Sequence, residues 1–223
     1  MSSARQMDFG FPTPRRRRPK RRGRPRKSGS GVPHLQRDVK ARFPLHVTLR
    51  MKDHVWQLRS RRCFQILERA FYRGCHRFGG RVCHFSVQHN HIHLVAEASD
   101  ARALARALQG LCIRMAKGLN RLMERKGAVF ADRYHARALR TPTEVRRALV
   151  YVLGNGRKHL PRVGHTLRPE WRDPYSSAAW FDGWSVPTPL AYLPGPVAFP
   201  ETWLLSIGYR RVGGLLRADE APS

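Results

Sequence analysis

Hydrophobic and polar positions follow two different periods in the stretch of chain that begins at residue 43. In residues 43–51 the apolar side chains come at every second position, which predicts a β-strand. In residues 55–79 they recur every three or four positions, which predicts a helix that ends near Gly79 and Gly80. The helical stripe consists of Leu58, Phe64, Leu67 and Phe71. The predicted order therefore starts with a strand and then a helix.

Two alternating segments follow this first helix. They cover residues 81–88 and 91–98, and little more than His89 and Asn90 separates them. Such a short polar connection between two alternating runs predicts an antiparallel hairpin.

A long helical stripe and a last alternating segment complete the pattern. The stripe lies in residues 100–127, and Gly127 is the expected end of this helix. It consists of Leu104, Leu108, Leu111, Met115, Leu119 and Leu122. Residues 128–139 are predicted to form the fourth strand. The order βαββαβ, with both helices on one face of an antiparallel sheet, predicts a ferredoxin-like α+β fold.

An additional C-terminal helix is predicted in residues 141–159. Thr141 is suited to cap it and Pro142 to occupy its first turn, and Glu144 stands three residues beyond the cap, which is the capping-box pattern. Beyond residue 160 the chain is rich in Pro, Gly and Trp and includes an amphipathic piece in residues 201–211. We expect this last part to wrap around the domain.

The first 40 residues differ from the rest in composition. They are rich in Arg, Lys, Pro, Gly and Ser and nearly empty of large apolar side chains, so they cannot bury enough surface to fold alone. Arg22, Arg24 and Arg26 belong to an Arg-Gly-Arg-Pro-Arg segment that resembles the core of an AT-hook, which lies in the minor groove of A·T-rich DNA. The alternative is a solvated basic arm that binds any phosphate backbone. Three regions are expected: a disordered basic arm (residues 1–40), a folded domain (41–160) and an extension (161–223).

The net charge narrows the class of partner. Lys and Arg number 43 against 15 Asp and Glu, which gives a formal net charge of +28 at pH 7 and a pI near 11.6. A field of this size is typical of proteins with a polyanionic partner, and nucleic acid is the leading candidate. An anionic membrane surface is the alternative, but no apolar run is long enough to span a bilayer and no apolar segment follows the basic N-terminus. We expect a cytoplasmic, nucleoid-associated protein with no membrane partner.

The four cysteines are predicted to be reduced. They are Cys63, Cys75, Cys83 and Cys112, and no Cys-x-x-Cys spacing occurs among them. A histidine directly follows Cys75 and another follows Cys83, which leaves zinc binding as an alternative, although structural zinc sites usually have a tighter ligand spacing.

Two histidines, His91 and His93, stand one residue apart in the segment NHIHLVAEA, which begins at Asn90. Alternate residues of a strand share a face, so both imidazoles lie on one side with Val95 and Glu97. The other side consists of Ile92, Leu94 and Ala96, which can enter the core. Two imidazoles roughly 6–7 Å apart at Cβ can both reach one divalent ion. Two surface histidines on a sheet face are the alternative.

Tyr151 and Asn155 lie four residues apart on the additional helix, so they share a face one turn from each other. The neighbouring apolar stripe consists of Val145, Leu149, Val152 and Leu153. Taken singly, Tyr151 is expected to be a partly buried aromatic with its hydroxyl in water, and Asn155 a C-terminal cap beside two glycines.

Together these motifs resemble the single-tyrosine HUH transposases (IS200-like) and, among them, the REP-associated tyrosine transposases. NHIHL at residues 90–94 is similar to the family's Asn-His-hydrophobic-His-hydrophobic signature, and YVLGN at residues 151–155 is similar to its Tyr-hydrophobic-x-x-Asn helix motif. Residues 129–139 and 174–181 are similar to the segments before and after that helix. The resemblance covers residues 43–184 in the family's order, so the folded domain resembles an HUH catalytic domain.

Two positions depart from the family's pattern. His89 and Gly156 stand where proline is usual, and neither change removes a chemical group. Gly156 predicts a looser end of the helix that carries Tyr151.

The resemblance implies a chemistry for these residues. His91, His93 and Asn155 would hold one Mg²⁺ or Mn²⁺, and Tyr151 would attack a phosphodiester of single-stranded or hairpin DNA to form a 5′-phosphotyrosine bond. This bond preserves the energy of the cleaved one, so cleavage and rejoining at the ends of a mobile or repeated element need no ATP. The expected protein is a monomer or a homodimer.

Further candidates lie outside these motifs. Tyr134, in the predicted fourth strand, is an alternative nucleophile that lacks an asparagine partner on a helix. His46, on the first strand, either supports the metal ligands or is exposed. The basic residues predicted to contact phosphates, with a solvated helix face as the alternative, are Arg61, Arg62, Arg114, Lys117 and Arg121. Trp171, Trp180 and Trp184 either stack on bases or, as we favour, pack the C-terminal extension.

Two other functions are consistent with this sequence. A noncatalytic DNA-binding protein would keep the same fold and basic arm, but all the catalytic groups expected from the resemblance are present here. An HUH replication-initiation or relaxase nuclease predicts a different order of motifs and usually an attached helicase or a longer region, which 223 residues accommodate poorly. A DNA-cleaving and rejoining transposase is therefore the favoured hypothesis.

Overall fold

The computed structural model describes residues 39–159, 167–186 and 195–220 of the chain. Arg22, Arg24 and Arg26 of the predicted basic arm lie outside the described residues. In the described part the strands are β1 (Leu45–Arg50), β2 (His76–Arg77), β3 (Gly80–Val87), β4 (His91–Ala98) and β5 (His135–Ala138). The helices there are α1 (Arg61–Gly74), α2 (Ala101–Leu122), α3 (Pro142–His159) and α4 (Trp203–Ser206), with 3₁₀ turns at Ser177–Trp180 and Gly208–Arg211.

These strands form an antiparallel sheet in the order β2-β3-β4-β1-β5. Apart from the two-residue β2, the chain follows the predicted βαββαβ plan, and the ferredoxin-like α+β fold is confirmed. Strand β1 lies between β4 and β5, so Thr48 is opposite His93 on one side and opposite His135 on the other. The middle of the sheet therefore carries a row of polar side chains that crosses three strands.

The two faces of the sheet pack against different helices. Leu94 on β4 belongs to a hydrophobic cluster with Leu67 of α1 and Leu108 of α2. Val95, the next residue along β4, belongs to a second cluster with Leu149 of α3. Because neighbouring residues of a strand point to opposite faces, α1 and α2 cover one face and α3 covers the other. The two histidines of β4 share the α3 face.

Helix α1 begins later than the hydrophobic stripe predicts. Ser60 is its N-cap, and the Ser60 hydroxyl accepts a hydrogen bond from the N–H of Cys63. Leu58 belongs to the predicted stripe but lies before this cap, where its own N–H donates to the carbonyl of His89. The predicted start at residue 55 is therefore wrong, because Leu58 belongs to a loop that enters the core and not to the helix.

Helix α1 also ends earlier than predicted, at Gly74. The following residues turn back and pair with β3 as the short strand β2. Phe78 and Gly79 form the connection, with φ angles of 57° and 76°. Positive φ at both central residues is typical of a tight β-hairpin, so the glycines of this region mark a hairpin and not a helix end.

Helix α2 ends at Leu122, five residues before the predicted stop at Gly127. Glu124, just beyond it, has a φ of 50°, in the left-handed region. A right-handed helix cannot include a residue with this conformation, so α2 ends before it. Among the described residues, no helix is long and apolar enough to cross a membrane.

The predicted fourth strand, residues 128–139, is reduced to the four residues of β5. In the register of β1 with β5, Leu49 and Arg50 would lie opposite Tyr134 and Arg133, but the pairing stops at Thr48 and His135. It resumes as a bridge between Met51 and Phe130, which is two residues out of that register. The predicted length is therefore wrong because an irregularity at residues 131–134 interrupts the strand.

The capping box predicted for α3 is formed. Oγ1 of Thr141 accepts the N–H of Glu144 at 3.2 Å, and Oε2 of Glu144 accepts the N–H of Thr141 at 3.1 Å. The helix continues past Gly156, so Asn155 is not a helix cap. Gly156 is buried, and a Cβ atom there would overlap with the carboxylate of Asp173. Close packing therefore requires glycine at the position where the sequence predicts a looser helix end.

The C-terminal part of the chain packs on α3. Leu205 of α4 and Tyr209 are buried in the same cluster as Leu149. Glu97 of β4 is also buried, and its Oε1 accepts the N–H of Thr202 at 2.9 Å and the Thr202 hydroxyl at 2.7 Å. These contacts attach the start of α4 to the sheet and agree with the expectation that this part wraps around the domain.

Buried His84 on β3 makes the stability of the fold depend on pH. Its Nδ1 has no hydrogen-bond partner among the described residues, and burial lowers its pKa from 6.5 to about 3. The unfolded chain therefore takes up a proton that the folded one does not, and stability is lost as the pH falls from 6.5 toward 3.

Between pH 7 and pH 5, we expect the free energy of unfolding to fall by about 2 kcal/mol more in the unmodified protein than in His84→Phe. Urea titrations at the two pH values measure this, and equal losses in both proteins would contradict it.

Candidate active site

His93 lies at the centre of a cluster of polar rings on the α3 face of the sheet. Its Nδ1 lies 3.2 Å from Nε2 of His46 and 3.3 Å from the hydroxyl of Thr48, both on the neighbouring strand β1. The antiparallel register brings these side chains together, because Thr48 is directly opposite His93 and His46 is two residues away on the same face.

The imidazole of His46 is held neutral. Burial first, and then the charges of Arg137 and His135, lower its pKa from 6.5 to about 4. At neutral pH this ring brings no positive charge toward His93 and acts as a neutral hydrogen-bond partner. Of the two alternatives that the sequence leaves open for His46, the structure shows the one in which it contacts the histidine pair.

Tyr151 on α3 reaches the same imidazole from the other side. Its hydroxyl lies 3.2 Å from Nε2 of His93, and the two ring centroids are 4.9 Å apart. The flanking residues Val150 and Val152 are buried, so the packing of α3 fixes the direction in which Tyr151 points. A tyrosine and a histidine predicted from separate motifs are therefore in contact within one chain.

His91 lies beside His93, with ring centroids 4.7 Å apart and ring planes at 84° to each other. Its Nδ1 lies 2.9 Å from Oδ1 of Asn90. An amide oxygen only accepts hydrogen bonds, so this contact favours the tautomer with the proton on Nδ1 and the lone pair on Nε2. Histidines that bind metal ions are commonly oriented by such a bond from their other nitrogen.

Asn155 lies one helical turn beyond Tyr151 and is 1 % exposed. Neither polar atom of its side chain, Oδ1 or Nδ2, has a hydrogen-bond partner among the described residues. A buried amide without partners costs on the order of 1–3 kcal/mol, so the fold alone does not explain its position. An oxygen that binds a ligand does explain it, and Asn155 therefore fits the role of a third metal ligand.

Two imidazoles and one amide oxygen form a donor set that suits a divalent ion sharing its other ligands with water and phosphate. Within the described ranges, no group of three or more His, Cys, Asp or Glu side chains could hold a metal ion. The zinc alternative at Cys75 and Cys83 thus finds no such cluster, and burial raises the pKa of the Cys83 thiol, which opposes the thiolate that zinc requires.

A buried ion pair attaches the far end of α3 to the rest of the chain. Nη1 and Nη2 of Arg59 bind the two carboxylate oxygens of Asp173 at 2.7 and 2.9 Å. Arg59 also donates to the carbonyl of Val87 and lies over the ring of Tyr175. Because Asp173 packs against Gly156, this pair supports the turn of α3 that carries Asn155. Neither Arg59 nor Asp173 belongs to a motif that the sequence singles out.

The basic residues predicted on α2 lie far from this cluster. Arg114, Lys117 and Arg121 line a groove together with Arg69 and Arg73 of α1. We call this surface the α1/α2 groove. It lies on the face of the sheet opposite to α3, since α1 and α2 cover that face. The two helices carry nine basic residues, four on α1 and five on α2, against one acidic residue, so the groove is strongly positive.

The remaining candidates have structural surroundings that separate them from the cluster. Arg61 and Arg62 are exposed at the start of α1, with Arg62 over the ring of Trp56. Tyr134 packs against the hydrophobic cluster under α1 and α2, away from the histidine pair. Trp184 is buried and its Nε1 donates to a backbone carbonyl, in agreement with a packing role.

No protein-family model matches this sequence, and no curated protein matches it at a significant level. Among solved structures, a REP-associated tyrosine transposase bound to a REP hairpin is similar, with a TM-score of 0.49 and 16% identity over 66% of this chain and 82% of that one. A presumed transposase from Deinococcus radiodurans R1 is similar with a TM-score of 0.38 and 12% identity, over 60% of this chain and 98% of that one. At these low identities and scores, neither likeness decides what this chain does.

Proposed function

We propose that this chain is a single-tyrosine transposase that cleaves and rejoins single-stranded DNA at the hairpin or repeat ends of a mobile element. The observation that carries the proposal is the contact of the Tyr151 hydroxyl with Nε2 of His93. Asn155, buried and without a partner among the described residues, lies one turn further along the same helix. The contact of Tyr151 with His93 within one chain supports use of the tyrosine with its own histidines.

The metal ligands in this proposal are His91, His93 and Asn155, and the ion is Mg²⁺ or Mn²⁺. The chemistry that such an ion supplies is stabilisation of the negative charge that builds up on the scissile phosphate, together with orientation of that phosphate for in-line attack. Neutral imidazoles and an amide bind more weakly than carboxylates do, so DNA and water are expected to complete the ligand set.

The covalent step requires the tyrosine and the DNA strand. Oη of Tyr151 attacks the phosphorus atom, the bond from phosphorus to the 3′ oxygen breaks, and the proton lost by the phenol is balanced by the one gained on the leaving 3′-hydroxyl. The product is a 5′-phosphotyrosine, and attack by a 3′-hydroxyl reverses the step. Because α3 fixes Tyr151, and β4 with its neighbour β1 fixes His93, the nucleophile is oriented before DNA binds.

DNA as the partner is supported by charge. The chain carries a formal net charge of +28, and the α1/α2 groove concentrates five basic side chains on one surface. Phosphate contacts of this kind give sequence-independent affinity, which positions the DNA without reading its bases. Since this groove and Tyr151 lie on opposite faces, the groove is suited to the backbone of a stem and the tyrosine face to the strand that is cut.

The test is an incubation of the full chain with a pool of single-stranded hairpin DNAs, with Mn²⁺ or with EDTA, followed by a denaturing gel. A covalent protein–DNA band that needs the ion is expected. Tight binding with no covalent band on any hairpin would overturn the proposal and favour a noncatalytic DNA-binding protein.

The α1/α2 groove predicts a specific salt dependence of DNA binding. Replacing Arg114, Lys117 and Arg121 by glutamine removes three charges, so the slope of log K against log salt is expected to become shallower by about 2 to 3. Titrations of a hairpin at several salt concentrations measure this slope. The control variant replaces three exposed basic residues outside the groove and outside α3: Arg168, Arg211 and Arg217. An equal change of slope in both variants would contradict a specific role of the groove.

A further inference from the structure

A cavity of about 290 Å³ lies along β3, on the side that faces the C-terminal part of the chain. The C-terminal part is attached to β3 on both sides of it, through the bond from Ala198 N–H to the Val82 carbonyl and through the bond from Phe85 N–H to the Ser177 hydroxyl. One water molecule occupies roughly 30 Å³, so the cavity has room for a small ligand.

His84 lines this cavity and is one of its few polar groups. The side chain is 5 % exposed, and its Nδ1 has no hydrogen-bond partner among the described residues. Burial keeps the imidazole neutral near pH 7 because its pKa is about 3, so the ring offers one donor and one acceptor. A buried polar atom in a folded protein normally has a partner, and a ligand in the cavity would supply it.

The other walls are aromatic and apolar. Trp180 and Phe181 line the cavity, and the Phe181 ring meets His84 edge-on at a centroid distance of 5.2 Å. Phe199 also belongs to the lining, and because 71 % of it is exposed, its ring is open to a ligand that enters from solvent. Aromatic surfaces of this kind are suited to stacking on a flat ring.

The charge of the described lining opposes an anionic ligand. Among the residues that the structure describes, no Lys or Arg lines the cavity, and Asp182 is the charged one. Asp182 is exposed and pairs with Arg210. A phosphate would therefore meet a carboxylate and no cation, whereas an uncharged ring with donor and acceptor atoms on its edge would meet His84.

We propose that this cavity binds a nucleobase. That the base belongs to a DNA strand rests on the proposed function, whereas binding of the base itself does not. His84 on β3 is opposite Val95 on β4, and Val95 is opposite His46 on β1. The cavity therefore begins two strand spacings, or roughly 10 Å, from the imidazole of His46, which contacts His93. Val95, between them, is buried under α3, so a strand that places a base in the cavity would have to pass around this helix, and the cavity would then select which base is present.

The experiment titrates the full chain, without metal, with each of the four deoxynucleosides and with trinucleotides. It uses tryptophan fluorescence and the imidazole NMR signals of His84. We expect one base to bind preferentially and His84→Phe to weaken it about tenfold, the effect of one lost hydrogen bond. Phe199→Ala is a second cavity variant, and because Phe199 is exposed, its replacement does not put folding at risk. The control is Tyr72→Ala, which removes an exposed aromatic of α1 and should leave binding unchanged.

Absence of binding by every nucleoside and trinucleotide would overturn the inference, and so would binding that is indifferent to both cavity variants. Binding of free nucleosides and binding of trinucleotides both support it, and the comparison shows whether the base is taken free or within a strand. The denaturing-gel assay of the unmodified chain separates the two proposals. Base binding by an unmodified chain that forms no covalent adduct on any hairpin would leave this inference intact and count only against the cleavage chemistry.

Discussion

The Tyr151→Phe variant is expected to form no covalent protein–DNA adduct, although it binds the same hairpin DNA as the unmodified chain. The substitution removes only the hydroxyl that contacts His93, and the ring keeps its packing between the buried neighbours on α3. Loss of a nucleophile lowers the rate by at least about 10⁴-fold, which places adduct formation below detection on a denaturing gel. Binding to a labelled hairpin, measured in parallel, is expected to remain within about twofold because tyrosine and phenylalanine fill the same space.

The matched control for this variant is Tyr134→Phe. Tyr134 is the other tyrosine considered as a nucleophile, and it packs against the cluster under α1 and α2. We therefore expect Tyr134→Phe to form the adduct at the normal rate. An adduct that survives in Tyr151→Phe and disappears in Tyr134→Phe would reverse the assignment, and an adduct that survives in both would move the nucleophile outside these motifs.

The parts of the fold that depend on local sequence were predictable. The periods of hydrophobic residues place β1, β3, β4 and α2 nearly where they occur, and the capping box at Thr141 marks the start of α3. The failures lie where distant segments decide the outcome. Residues 128–134 are not part of β5 because their pairing with β1 is interrupted and resumes out of register at Phe130, and no property of their own sequence shows this.

The candidate site shows the same division. His91, His93, Tyr151 and Asn155 were found because each motif lies within five residues of sequence. The contact between His46 and His93 depends instead on the register of β1 against β4, which a slip of one residue would abolish. The position of the basic groove on the opposite face also follows only from tertiary structure, because a helical pattern shows which side chains share a surface but not where that surface lies.

The ion pair of Arg59 and Asp173 was the least predictable part of the site, because 114 residues separate its partners in sequence. Its loss is expected to be costly. Asp173→Asn leaves a largely buried guanidinium without its counter-charge, since the Arg59 side chain is 15 % exposed and the Asp173 side chain is 0 % exposed. Breaking such a pair lowers the free energy of unfolding by about 3–5 kcal/mol, and urea unfolding monitored by circular dichroism measures the loss.

Two further variants decide whether this loss comes from the unpaired charge. Asp219→Asn breaks an exposed pair with Arg217 and should leave stability unchanged, because water screens both of its partners. The double variant Arg59→Met, Asp173→Leu removes both charges, and we expect it to regain most of the stability that Asp173→Asn loses. A double variant as unstable as Asp173→Asn would show that the pair stabilises the fold through the positions of its contacts and not through its charges. The bond to the Val87 carbonyl and the contact with Gly156 would then hold the end of α3, and with it Asn155, in place.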